Sequence, residues 1–178
     1  MKFKPATSEV ATESMKTSAN NTMLLKGAQK DTTGCDVSMD GTWQKRGYSS
    51  LNGCVSCISV EKGNILDIEI ICIFFRMCNN MANSKYHSKH VWQNHKGPSS
   101  STEKVGAHRI FERSEMTRNL QYTQYYGDGD SKAYDAVKYI YGGNTVNKLE
   151  CNGHVQKRVG SRLRKLKISR KDWEERGN

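Results

Sequence analysis

Alternation of apolar and polar residues with the two-residue period of a half-buried strand recurs along this chain. Cys35-Asp36-Val37-Ser38-Met39-Asp40 turns Val37 and Met39 to one face and Ser38 and Asp40 to the other, then breaks at Gly41. That predicts a first strand over 35–42 with Asp40 where the strand gives way to a turn. A second strand is predicted over 53–61, a tight turn at Lys62-Gly63-Asn64 and a third strand over 65–75; connections this short make the three antiparallel. Leu120 to Tyr126 reads as a fourth strand, closed by the acidic turn Gly127-Asp128-Gly129-Asp130, and Val146 to Cys151 as a short fifth.

Elsewhere the spacing becomes helical. Residues 6–30 mix Val10, Met15, Met23, Leu24 and Leu25 with Ser, Thr, Lys and Asn, a helical or flexible segment that Gly27 weakens or ends. Ser99 to Thr102 followed by Glu103 has the form of a helix N-terminus. Val105, His108, Ile110, Phe111 and Met116 then give an apolar stripe over 101–118, with Arg109, Arg113 and Arg118 expected on a solvated face. Asp130 is placed to cap a helix over 131–141 that turns Ala133, Ala136, Val137 and Ile140 to the sheet and stops at Gly142-Gly143. Val155 to Lys171 is a basic helix in which Val155, Val159, Leu163 and Leu166 can pack inward. The fold class is therefore α/β: three antiparallel strands, then helix, strand, helix, strand and helix.

At 178 residues the chain suits one domain with a real core. Segment 1–30 precedes it, and 31–178 forms the body with an irregular Cys/His loop at 76–99. The formal charge of +10 and a pI near 9.4 favour a polyanionic partner. The most apolar run, Ile65 to Phe75, is strand-sized and carries Asp67 and Glu69, so no membrane span is expected. Met-Lys-Phe-Lys-Pro has no apolar region behind it, and the six scattered cysteines read as reduced thiols, both pointing to an intracellular protein. Cys54 and Cys57 have the spacing of a redox or zinc pair, but in a strand they face opposite ways and read as structural.

Two strand-end carboxylates far apart in sequence, Asp40 and Asp128, suit a two-metal phosphoryl-transfer site, because divalent clamps need hard oxygen ligands converging on a rigid sheet. Asp-Gly is also among the commonest turn signals, so the pair alone decides little. The wording around them adds to it. Asp40-Gly-Thr-Trp-Gln-Lys-Arg-Gly47, Ser49-Ser-Leu-Asn-Gly53, Gly127-Asp-Gly-Asp-Ser-Lys-Ala133 and Leu149-Glu-Cys-Asn-Gly-His-Val-Gln-Lys-Arg158 together resemble the Mutator-like transposase domain of transposon-derived arthropod proteins, over roughly 6–168.

The resemblance implies an RNase H-like mixed sheet, incomplete at its C-terminus, and DDE-type DNA cleavage and strand transfer in the nucleus. Asp40 and Asp128 would be the catalytic ligands of Mg²⁺ or Mn²⁺, and oligomerisation in a transposition complex would be expected. The third carboxylate of that family lies on a later helix. Glu174 and Glu175 follow Trp173 without a family match and are not assigned to it, so a C-terminally truncated, inactive chain is the expectation. Lys45 and Arg46 would border the site, with Trp43 either packing under the turn or facing DNA. Lys157, Arg158, Arg162, Arg164, Lys165 and Lys167 are candidate phosphate contacts. Cys78, His87, His90 and His95 have zinc-type chemistry in a region that departs from the family, where an eroded loop is the competing reading. Cys151 and His154 lack enough partners for zinc and stand between packing and support beside the site. The alternative function is a non-catalytic, basic nucleic-acid-binding remnant of a transposon.

Overall fold

The structure is a computed structural model that describes residues 3–27, 32–44, 50–74, 94–127, 132–143, 145–150 and 152–176. In chain order the elements are α1 (Phe3–Leu25), β1 (Thr33–Trp43), β2 (Asn52–Ser59), β3 (Ile65–Cys72), α2 (Thr102–Arg118), β4 (Leu120–Gly127), α3 (Lys132–Val137), β5 (Asn147–Glu150) and α4 (Asn152–Arg176). The strands form one mixed sheet in the order β3-β2-β1-β4-β5. β2 runs antiparallel to β1 and β3, whereas β4 runs parallel to β1 and β5 parallel to β4. The predicted α/β class and succession of elements hold.

One face of the sheet carries the core. Cys35, Val37 and Met39 from β1, Val55 and Cys57 from β2, Leu66 from β3, and Leu120, Tyr122 and Tyr125 from β4 meet Ala107, Ile110 and Phe111 of α2 and Ala133 and Val137 of α3. Phe111 is the hub, edge-on to Tyr122 with centroids 5.0 Å apart and stacked on Tyr141 at 6.1 Å. α2 comes unusually close at Gly106, where a Cβ would lie 2.5 Å from a Val55 methyl. Cys57 is fully buried and Cys54 half-buried on the opposite face, as strand alternation predicts. Burial pushes the Cys35 thiol up to about 12 and holds Cys57 well above its ordinary value.

Three helical stripes differ from expectation. In α2 the inward residues are Thr102, Gly106, Ala107, Ile110, Phe111 and Ser114, while Met116 is 84% exposed; the small residues are inside because the helix lies close to the sheet. In α1, Val10, Leu24 and Leu25 are exposed, and Ser18, Ala19 and Thr22 face the core. The two hydroxyls are satisfied by the Ser14 and Ser18 carbonyls one turn back, so their burial leaves no orphan donor. In α4 the row Val155, Val159, Leu163 and Leu166 does not pack inward; all four are exposed.

The arginines of α2 are likewise not a solvated face. Arg113 donates from Nε to Asp67 at 2.8 Å, from one terminal nitrogen to Glu69 at 2.5 Å, and from the other to Asp67 at 3.1 Å and the Ile68 carbonyl at 2.9 Å. Arg109 reaches Glu69 at 3.0 Å and Arg118 lies 3.5 Å from Asp67. These contacts tie α2 to β3, the outer strand. Asn94 closes that strand's edge: its side chain accepts from the Cys72 N–H at 2.8 Å and donates to the Ile70 carbonyl at 2.6 Å.

Candidate active site

β1 and β4 lie side by side and point the same way, so both run out at one edge of the sheet. Asp40 is near that end of β1, exposed, on the face opposite the core. Its register is fixed from the other side by β2: Asp40 pairs with Ser56, whose hydroxyl donates to the Asp40 carbonyl at 3.3 Å. Across the parallel ladder Ser38 stands opposite Tyr126. β4 ends at Gly127; Asp128 and Asp130, including the cap expected of Asp130, lie outside the described residues.

Trp43 folds back over the β1–β2 ladder. A Cβ on its cross-strand partner Gly53 would fall 2.3 Å from its ring, so the glycine is what lets the indole lie flat there, and the packing reading holds for Trp43. On the core side of the same edge stands Glu103, from the first turn of α2. A Cβ on Gly41 would lie 3.4 Å from Glu103 Cγ and 3.5 Å from its carboxyl carbon. Burial first, and the Glu103 charge second, raise the Tyr125 hydroxyl. Sequence reasoning took Glu103 only as a helix-start residue. The signal for more was Gly41, a strand residue without a side chain beside Asp40.

Around Asp40, the strand residues of its face are Ser38 and Thr42 on β1, Cys54, Ser56 and Ile58 on β2, and Ile68 and Ile70 on β3. Among the described strand residues of this face there is no lysine or arginine to neutralise the carboxylate. Hard carboxylate oxygen without a competing ammonium is the donor chemistry that fits Mg²⁺ or Mn²⁺. Among the described residues no group of three or more His, Cys, Asp or Glu could hold a metal ion.

The remaining candidates divide. His95 is engaged, its Nε2 2.8 Å from the Ser101 hydroxyl just before α2; Cys78, His87, His90 and Cys151 lie outside the described residues, as do Lys45 and Arg46. His154 is in α4. Lys157, Arg158, Arg162, Arg164, Lys165 and Lys167 are all exposed along α4, with Arg158 paired to Glu150 at the end of β5.

A family model for Mutator-like transposase matches residues 1–178, the whole chain. The chain belongs to the Mutator-like transposase family. No curated protein and no solved structure gives a significant match. In this Mutator-like transposase chain the exposed Asp40 stands at the edge shared by β1 and β4, and the exposed cation row of α4 lies beyond β5. No helix among the described residues is long and apolar enough to cross a membrane.

Proposed function

We propose that this Mutator-like chain carries the two-carboxylate part of a metal-dependent DNA cleavage and strand-transfer site, with Asp40 and Asp128 as the paired ligands. The observation that supports it is the parallel register. Ser38 is opposite Tyr126, and in the sequence Asp40 and Asp128 each lie two residues further on; a ladder continued by that even step would put both carboxylates on one face. Neighbouring strands are about 4.8 Å apart, a separation that two carboxylates can bridge through a shared cation. We read the order β3-β2-β1-β4-β5, with β2 reversed, as the RNase H-like arrangement, and the nucleus as the place where its substrate is met.

Mg²⁺ or Mn²⁺, when bound, supplies charge stabilisation at the phosphodiester and a more acidic attacking water. The chain's own contribution is positional. The β1–β2 pairing and the Ser56 bond hold Asp40's backbone, Glu103 adds negative charge on the far side of Gly41, and the α4 cations attract the DNA backbone. The test is Mn²⁺ titration of the full chain: Asp40→Asn and Asp128→Asn should each weaken affinity at least about tenfold, roughly 1.4 kcal/mol. Equal affinity in the wild type and both variants would sink the assignment.

Six exposed cations among the described side chains of α4 also support a second reading, a non-catalytic DNA-binding remnant. It expects duplex binding that ignores Mg²⁺ and falls with salt at a log–log slope of roughly −5, the value for six neutralised phosphates. A slope near zero would remove it.

A further inference from the structure

α2 brings a carboxylate to the end of β1 from the side opposite Asp40. Glu103, in the first turn of that helix, is half-buried. Its Cγ and carboxyl carbon would lie 3.4 Å and 3.5 Å from a Cβ at Gly41, the residue that follows Asp40. The Trp43 indole would meet the same Cβ at 3.4 Å, so the ring and the carboxylate arm share the space over a residue with no side chain. The backbone around Glu103 is fixed on both sides. Thr102 is buried, its hydroxyl donating to the Ser99 carbonyl at 2.5 Å, and Gly106 lies close against Val55. Because consecutive Cα atoms are about 3.8 Å apart, the Glu103 carboxyl carbon is within about 9 Å of the Asp40 Cα.

From this placement we infer that Glu103 is a positioning residue for the divalent cation of the Asp40 site: not a ligand, but a fixed negative charge that acts on the ion across the backbone of β1. The inference rests on the metal-site reading of Asp40. A separation of about 9 Å is near the Debye length at physiological ionic strength, and a path through the strand is screened less than one through open water. At a given distance a doubly charged ion gains twice what a monovalent one gains, so the same charge favours Mg²⁺ or Mn²⁺ over the monovalent cations around it. The Glu103 charge also reaches β4. It adds to burial in raising the Tyr125 hydroxyl, and the Tyr125 ring lies across Gly127, the last residue of that strand, where a Cβ would fall 2.3 Å from it. Glu103 is distinct from the third carboxylate that the resemblance implies, which lies on a later helix; it precedes β4 and stands on the core side of β1. An acidic first turn also complements the dipole of α2, but that role acts on stability and not on cation affinity.

The experiment is Mn²⁺ titration of the full chain, read from the free-ion electron paramagnetic resonance signal, with the melting temperature recorded separately without metal. Glu103→Gln keeps the shape and removes the charge, and should weaken Mn²⁺ binding about three- to tenfold; Glu103→Asp keeps the charge and should stay within about twofold of wild type. In an Asp40→Asn background Glu103→Gln should change the affinity by less than about twofold, because the ion it acts on is no longer held at Asp40. If Asp40→Asn weakens binding and Glu103→Gln does not, the inference is overturned and the metal-site reading stands. If Asp40→Asn has no effect, both fall. Equal losses in Glu103→Gln and Glu103→Asp overturn the inference because shape, not charge, would be at work. A Glu103→Gln loss that persists undiminished in Asp40→Asn overturns it because the ion affected would not be the one at Asp40.

Discussion

Replacing Arg113 by methionine tests how α2 is held to the sheet. The guanidinium makes four hydrogen bonds to Asp67, Glu69 and the Ile68 carbonyl, and the Asp67 side chain is only 3% exposed. Methionine keeps much of the packing volume but leaves a buried carboxylate. Removing one member of a buried pair costs about 3–5 kcal/mol. Here Arg118, 3.5 Å from Asp67, retains part of the compensation, so the expected loss is about 2–4 kcal/mol, or roughly 5–15 °C in melting temperature for a domain of this size. Urea denaturation measures it. The companion variant is the double substitution Arg113→Met with Asp67→Asn: neutralising the stranded carboxylate should recover a substantial part of the loss. If the single variant falls within about 0.5 kcal/mol of wild type, the range of an exposed ion pair, or if the double variant loses the full sum of both singles, the network is not what fastens α2 to β3.

Two further outcomes follow from packing and titration. Gly106→Ala should destabilise by about 1–3 kcal/mol in the same assay, because its methyl would meet Val55 at 2.5 Å and 2.9 Å in a filled core. The Lys26–Glu61 pair, 2.5 Å apart, should give stability a pH dependence that Lys26→Met removes. The hydrogen bond to Glu61 raises Lys26. Glu61, which burial alone would push up, is brought below its ordinary value by Lys26 and Ser59. The Lys26 contribution is thus full below the ordinary lysine value and fades as pH rises through the raised one. The Glu61 contribution is full above the ordinary carboxylate value and fades as pH falls through the lowered one. Thermal melts across pH, wild type against Lys26→Met, read both limbs.

β1 and β2 were legible because each has one buried face, which writes period two directly into Val37, Met39, Val55 and Cys57. The order of the first three strands also followed, since short connections leave them little freedom. The helices were less legible where packing departs from the rule that large apolar residues go inside. α2 approaches the sheet so closely that Gly106, Ala107 and Ser114 take the interior and Met116 is left in water. α1 buries serine and threonine because each hydroxyl finds a carbonyl in its own helix. The arginines of α2 could not be paired from the sequence, their partners Asp67 and Glu69 being some forty residues away on another element. At the candidate site, the strand alternation put Asp40 on the polar face correctly. Glu103 was missed because its relation to Asp40 runs through a glycine, and an absent side chain leaves no pattern.

The sealing of β3 by Asn94 has a consequence for how the protein is handled in the laboratory. Ile65-Leu66-Asp67-Ile68-Glu69-Ile70-Ile71-Cys72 is a run of high β-propensity, and the residue that blocks its outer rim arrives from 22 positions downstream. During refolding from denaturant the rim is available to other chains until that later segment docks, so yield should depend steeply on protein concentration. Dilute, slow-mixing protocols are the ones that should return monodisperse material.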